Sequence, residues 1–273
     1  LPARFRADGL QVSQHTVRSA DGEAVPYFVI HRKGLKPDGS TPTILYGYGG
    51  FEISLKPSYS ATIGKLWLER GGAYAVANIR GGGEFGPRWH KAALKTNRQR
   101  AYDDFIAVAE DLTKRGITSP KRLGISGGSN GGLLVGAIFT QRPDLMNAVV
   151  CRVPLLDMMR YTKLLAGASW AAEYGDPEDP KMRAALLKYS PYQNMFPGRK
   201  YPKVFIETST KDDRVHPGHA RKMVARMREQ GHPVLYFENT EGGHAAGAAS
   251  THATPCLSIR DMVDLRFTLG VPR

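Results

Sequence analysis

Leu123-Gly124-Ile125-Ser126-Gly127-Gly128-Ser129-Asn130-Gly131-Gly132-Leu133-Leu134 is the stretch on which the fold turns. An apolar, strand-like run leads into a Gly-x-Ser-x-Gly pattern centred on Ser129, and an apolar, helix-like run follows it. Small residues on both sides of Ser129 let the backbone bend sharply, which pushes one hydroxyl out at the end of the strand. Glycine-rich turns are common, so the pattern carries weight because a strand precedes it and a helix follows. Ser129 is the first candidate for a covalent catalyst.

Working outward, the rest of the chain alternates strand and helix signals. Leu10 to Ser19, the turn pair Asp21-Gly22, and Val25 to Arg32 predict a leading β-hairpin. Thr41 to Gly47 and Ala73 to Ile79 read as short buried strands. Each runs into a glycine cluster, Gly47-Tyr48-Gly49-Gly50 and Gly81-Gly82-Gly83. Tyr102, Phe105, Ile106, Ala109 and Leu112 share one helix face, and Gly116 supplies a stop. After the strand Arg122 to Ser126, the elbow helix is apolar nearly all round (Leu133, Leu134, Val135, Ala137, Ile138), which places it at the centre of the molecule.

Strand Ala148 to Val153 precedes an irregular region from Asp157 to about Lys200. Strand Val204 to Glu207, a helix opened by Pro217, strand Val234 to Phe237 and a last helix opened by Thr254-Pro255 complete the pattern. This alternation predicts an α/β protein with a mostly parallel central sheet and helices on both faces. Combined with the serine turn, it is the α/β-hydrolase fold. Residues 1–273 are expected to form a single domain of this kind, with 1–25 a leading strand or hairpin segment.

Composition excludes several function classes. Hydrophobic content of 41% with 23% charged residues is ordinary for a globular protein. No run approaches 18 uninterrupted apolar residues, so no membrane span is expected. The net charge of +13 raises the question of nucleic acid. The basic residues are scattered, however (Lys91, Lys95, Arg98 and Arg100; Arg221, Lys222, Arg226 and Arg228), and no aromatic residues interleave them. They read as a solvated basic surface, with no nucleic-acid partner. Cys151 and Cys256 make no disulfide framework, and Cys151 reads as a small core residue. No His/Cys cluster has metal-ligand spacing, so neither metal nor other cofactor is expected. Gly81-Gly82-Gly83 lacks the register of a dinucleotide-binding turn. The compartment, cytoplasmic or periplasmic, stays open.

A nucleophilic serine needs a base, an orienting carboxylate and an oxyanion hole. In this fold the chain order is serine, acid, histidine. After Val204-Phe205-Ile206, both Asp212 and Asp213 lie in the expected loop, and past Val234 to Phe237 comes Glu241-Gly242-Gly243-His244. Of the eight histidines, His244 alone has the right placement. The backbone N–H of Asn130, at the start of the elbow helix, is one expected oxyanion donor. The loop Tyr46-Gly47-Tyr48-Gly49-Gly50-Phe51 supplies the second, through a backbone N–H or a tyrosine hydroxyl.

At this level of detail the chain resembles the catalytic domain of the prolyl oligopeptidase family of serine peptidases. The matching segments are Tyr46 to Phe51, Ala77 to Gly86, Trp89-His90-Lys91, Gly127 to Gly132, Tyr174-Gly175, Tyr189-Ser190-Pro191, Asp212 to Val215 and Gly243-His244. The resemblance implies that Asp212 rather than Asp213 is the acid, and that Tyr48 rather than Tyr46 is the oxyanion tyrosine. It implies that Arg214 hydrogen-bonds a substrate backbone carbonyl. Trp170 matches the tryptophan that stacks on a substrate proline, and Phe51, Leu155, Tyr174 and Val215 match other pocket-wall positions. An indole face suits a pyrrolidine ring, which lacks an amide N–H. Leu155 is bulkier than the family's usual residue there.

Family members carry a β-propeller ahead of the hydrolase domain, and this sequence holds none. The expectation is an excised domain or a stand-alone relative, with an exposed face that a missing propeller or a homo-oligomer would cover. The expected activity is cleavage of a peptide bond after proline through a Ser129–Asp212–His244 triad and an acyl-enzyme. The alternatives are a carboxylesterase or aryl-acylamide hydrolase using the same triad, and a non-catalytic domain that keeps the scaffold.

Overall fold

A computed structural model describes residues 4–56, 58–245 and 268–270. Eight strands join one sheet in the order β1-β2-β4-β3-β5-β6-β7-β8. They are β1 (Leu10–Arg18), β2 (Ala24–Arg32), β3 (Thr43–Tyr46), β4 (Ala73–Ala77), β5 (Leu123–Gly128), β6 (Ala148–Arg152), β7 (Lys203–Ser209) and β8 (Val234–Asn239). The hairpin β1–β2 pairs antiparallel along its whole length, and β2 joins β4 antiparallel. From β4 through β3 to β8 every pairing is parallel. The sheet is therefore mostly parallel, as the alternation of signals requires, and the hairpin belongs to its edge.

Seven α-helices are assigned among the described residues: α1 (Ala61–Leu66), α2 (Pro87–Lys91), α3 (Gln99–Lys114), α4 (Asn130–Gln141), α5 (Ala171–Tyr174), α6 (Pro180–Tyr189) and α7 (Gly218–Glu229). The pleat sends alternate strand residues to opposite faces. Leu45, Ile125, Val149, Cys151 and Ile206 pack with the buried sides of α3, α4 and α7 in one core. Ile44, Ala148, Val150 and Phe205 face the other way, into a smaller core with Trp67, Leu68 and Leu269. Helix α4 is buried from Asn130 to Thr140, which accounts for an apolar sequence without a polar stripe. The expected last helix at Thr254-Pro255, together with Cys256, lies outside the described residues.

The region from Asp157 to Lys200, read as irregular, contains α5 and α6. Helix α6 opens with Asp179, whose carboxylate accepts the Lys181 and Met182 N–H groups, followed by Pro180 at its first position. Those are local start signals, but the short apolar pattern behind them is weak. The segment then folds back beside β6 and α7. There His219 is sealed at 1% exposure, and its Nδ1 accepts the backbone N–H groups of Leu156 and Asp157.

Burial, reinforced by the Lys222 and His216 charges and opposed by Asp157 and Asp212, lowers the His219 pKa to about 4. Between that value and the ordinary 6.5 the unfolded chain binds the extra proton, so stability rises with pH through this window and is lost as pH falls. The expected contribution between pH 4 and pH 7 is roughly 3 kcal/mol. Urea unfolding across that range measures it. His219→Asn, which keeps an acceptor but does not titrate, should flatten the rise, and an unchanged slope would refute the assignment.

Candidate active site

The site is built at the carboxyl ends of the central strands. Ser129 sits between β5 and α4 with φ 58° and ψ −117°, a left-handed conformation unusual outside glycine. Its N–H donates to the Arg152 carbonyl on β6, and its carbonyl accepts the Leu133 N–H. The turn needs glycine on both sides. A Cβ on Gly127 would lie 2.1 Å from the Gly131 carbonyl oxygen, and one on Gly132 would lie 2.8 Å from that of Arg152.

His244, past β8, brings Nε2 to 3.1 Å from the Ser129 hydroxyl. Its Nδ1 lies 2.8 Å from Asp212 Oδ2 and 3.0 Å from Oδ1. Asp212 is 4% exposed, and its Oδ1 also accepts the backbone N–H groups of Arg214 (2.9 Å) and Val215 (2.8 Å). Those two donors fix the carboxylate, so its Oδ2 faces the imidazole. Asp213, the other aspartate of the loop, is exposed, and among the described residues its hydrogen bond is to the backbone N–H of His244, at 3.5 Å.

The loop after β3 separates its two tyrosines. Tyr48 is half-buried, and its phenol lies near the Ser129 and Arg214 side chains. Burial raises its pKa above the usual 10, with the Arg214 charge opposing, so at neutral pH it is a neutral O–H donor. Tyr46 stacks on Tyr74, with ring centroids 6.3 Å apart, on the opposite face of the sheet. A cavity of about 790 Å³ lies there, lined by Leu10, Ile44, Tyr46, Tyr74 and Arg152 among others, and none of the candidate site residues borders it. The Asn130 N–H, in the first turn of α4, has no acceptor within its own helix.

Of the pocket candidates, Phe51 and Trp170 are half-buried, while Leu155 and Val215 are each 2% exposed. Arg214 is exposed, and its carbonyl accepts the Ala166 N–H, which ties the acid loop to the turn carrying Trp170. Tyr174 exposes no surface. Its ring meets Phe51 edge-on at 5.7 Å and its hydroxyl donates to Asn130 Oδ1 at 2.8 Å, so it underlies the pocket.

One expectation is overturned. Arg98, counted from sequence among surface basic residues, is 1% exposed. Its guanidinium donates to Glu173 Oε1 at 2.9 Å and to Asn130 Oδ1 at 2.6 Å, directly behind the serine turn. Neither Arg98 nor Glu173 is a site residue on the sequence reading. A signal existed for Arg98: continuing the apolar face of α3 backwards from Phe105 and Tyr102 by one turn lands on it. Glu173 has no such signal, because α5 is a single turn. His90, read as a turn residue, lies on α2 with Nε2 at 2.8 Å from Glu173 Oε2. Among the described residues no helix is long and apolar enough to cross a membrane, and no group of His, Cys, Asp and Glu could hold a metal ion.

The sequence pattern of the prolyl oligopeptidase family matches residues 57–262. An uncharacterized peptidase of Sinorhizobium fredii (strain NBRC 101917 / NGR234) is 64% identical over 247 residues, covering 90% of this chain and 34% of that protein. A prolyl endopeptidase of Elizabethkingia miricola is 46% identical over 251 residues, covering 90% of this chain and 36% of its own length. Among solved structures, a post-proline cleaving enzyme from Rickettsia typhi matches with a TM-score of 0.94 at 42% identity, covering 98% of this chain and 39% of that one. The chain thus spans about a third of the length of the curated relatives it matches. A family pattern over most of its length, and such identities over nine-tenths of it or more, mean that this chain belongs to the prolyl oligopeptidase family.

Proposed function

We propose that this chain is a serine peptidase domain that cleaves the peptide bond after proline by acyl transfer. The observation that carries the reading is the continuous chain Ser129 Oγ, His244 Nε2, His244 Nδ1, Asp212 Oδ2, with 3.1 and 2.8 Å contacts. His244 takes the Ser129 proton as Oγ attacks the substrate carbonyl carbon. Asp212 holds the imidazole in the tautomer whose Nε2 can accept, and stabilises its charged form. The developing oxyanion accepts from the Tyr48 hydroxyl and the Asn130 N–H, the latter at the positive end of α4. His244 then returns the proton to the leaving amine, and the acyl-enzyme forms. Water attacks that ester with His244 as base, which frees the acid product and restores Ser129.

Specificity follows from what proline lacks. Its ring offers apolar surface and no N–H, so a half-buried indole and phenyl at Trp170 and Phe51 supply contact without leaving a polar group unpaired. We read the buried Leu155 and Val215 as the back of that pocket, and the exposed Arg214 as a donor to a substrate carbonyl. The curated relatives are more than twice as long as this chain. We read the chain as one α/β-hydrolase domain, and the enclosure of its site by a propeller or by a second copy as part of the same proposal.

A fluorophosphonate probe should label the chain, and Ser129→Ala should abolish labelling. Labelling that persists in that variant refutes the nucleophile assignment. Tyr48→Phe should lower kcat on the order of 10²-fold through loss of one oxyanion donor, and Asp212→Asn on the order of 10⁴-fold. Turnover at the original rate in either variant removes that residue from the mechanism.

Substrate class is read by comparing a prolyl anilide, an alanyl anilide and a p-nitrophenyl acyl ester. The prolyl anilide should be preferred to the alanyl one by about ten-fold or more, with that preference lost in Trp170→Ala. Hydrolysis of the ester alone would replace the peptidase reading with an esterase using the same triad.

A further inference from the structure

We propose that Arg98 and Glu173 are positioning residues: a buried ion pair that locks the serine turn to the oxyanion loop and the pocket wall as one rigid unit. This rests on the hydrolase reading above. The Arg98 side chain is 1% exposed and that of Glu173 is 5% exposed, so the pair is sealed from solvent. The other hydrogen bonds that the two side chains make run toward the site, while Arg98 Nε has no partner among the described residues.

Arg98 spends its second donor, Nη2, on Asn130 Oδ1, which also accepts the Tyr174 hydroxyl. An oxygen facing two donors leaves Asn130 Nδ2 to point the other way, and it donates to the Tyr48 carbonyl at 2.6 Å. The residue whose N–H is one proposed oxyanion donor is thereby tied to the backbone of the residue whose hydroxyl is the other. The approach is tight: a Cβ on Gly50 would lie 2.5 Å from Asn130 Nδ2.

Glu173 holds the far end of the same loop. Its Oε1 accepts the Phe51 N–H at 3.0 Å as well as the Arg98 guanidinium. Phe51 and Glu52 both have left-handed φ, 55° and 58°, a conformation these side chains hold only when the surroundings enforce it. Oε2 takes His90 Nε2 at 2.8 Å, which adds the α2 segment to the clamp. Glu173 also lies on α5, which begins immediately after Trp170. The Arg98 guanidinium further lies over the Tyr174 ring, 5.2 Å from its centroid, and that ring carries Phe51. One cation and one carboxylate thus reach Asn130, Tyr48 and Phe51 either directly or through a single intermediate, and Trp170 adjoins the helix that carries the carboxylate.

A merely structural pair would cost folded protein and leave each folded molecule fully active. A positioning pair lowers kcat per folded site. The test is kcat and KM for a prolyl anilide in the 273-residue chain, normalised to active sites titrated with a fluorophosphonate, for Arg98→Met, Arg98→Lys and Glu173→Gln. Arg98→Met and Glu173→Gln should each lose about ten-fold or more in kcat, with KM within about three-fold. Arg98→Lys should recover part of the loss, because an ammonium still donates to both oxygens without the planar fork. The double variant Arg98→Met/Glu173→Gln should fall no further than the worse single one, as expected for residues acting through one unit.

Original kcat per titrated site in both Arg98→Met and Glu173→Gln overturns the proposal. If Arg98→Met yields no folded protein, the near-isosteric Glu173→Gln decides alone. Unchanged variants alongside a labelled parent chain refute this inference only. A parent chain that the probe never labels refutes the hydrolase reading, and this inference with it.

Discussion

The left-handed turn at Ser129 is the constraint to which the rest of the site answers. A non-glycine residue held in such a conformation costs about 1–3 kcal/mol, and it persists only where its surroundings over-determine it. Here the serine N–H is fixed to the next strand through Arg152, its carbonyl to the next helix through Leu133, and the flanking glycines pack backbone against backbone. Helix α4 is buried along nearly its whole length, so it cannot shift to relieve the turn. The serine is half-buried, and its hydroxyl is met by His244 Nε2.

Around that turn, geometry is supplied by charges that add little to stability. Taking a carboxylate and a guanidinium out of water costs several kcal/mol each, and their mutual attraction roughly cancels that cost. Removing one partner alone is far worse, about 3–5 kcal/mol, because it strands the other. The Arg98–Glu173 pair therefore makes a poor stabiliser and a good locator. The same logic holds one loop away. Arg80 after β4, 3% exposed, is bound bidentately by the fully buried Asp104 and again by Asp21. Asn78 donates to the Leu55 carbonyl and to Glu84, joining the two glycine-rich loops. Asp212 follows the pattern with neutral donors, since two backbone N–H groups orient it before the histidine arrives.

Much of this was legible from residues alone, and the reasons differ by element. The strands β3 to β8 announce themselves as short apolar runs ending in glycine or acidic loops. Helices α3 and α7 announce themselves by one-sided periodicity. Helices α1, α2 and α5 do not, because four to six residues are too few for a period to register. Helix α6 has a clear cap but only three buried residues, Met182, Leu186 and Tyr189. Arg98 was misplaced because a basic residue is ordinarily a surface residue, and only its partners make burial tolerable. Those partners, Glu173 and Asn130, lie 75 and 32 residues away in the chain.

What the sequence by itself determined is the class of chemistry and its chain order: a serine on a glycine-flanked turn, then an acid loop, then a histidine loop. Such signals are contiguous, and backbone sterics and hydrophobic periodicity act over a few residues at a time. What only the tertiary structure decided is convergence. It brought His244 to a serine 115 residues away and aligned it with an aspartate 32 residues away. It turned Tyr48 toward that serine and Tyr46 away from it, and it moved Tyr174 beneath the pocket instead of into it. These outcomes depend on which buried donors find acceptors across the packed core, and no local pattern encodes that match.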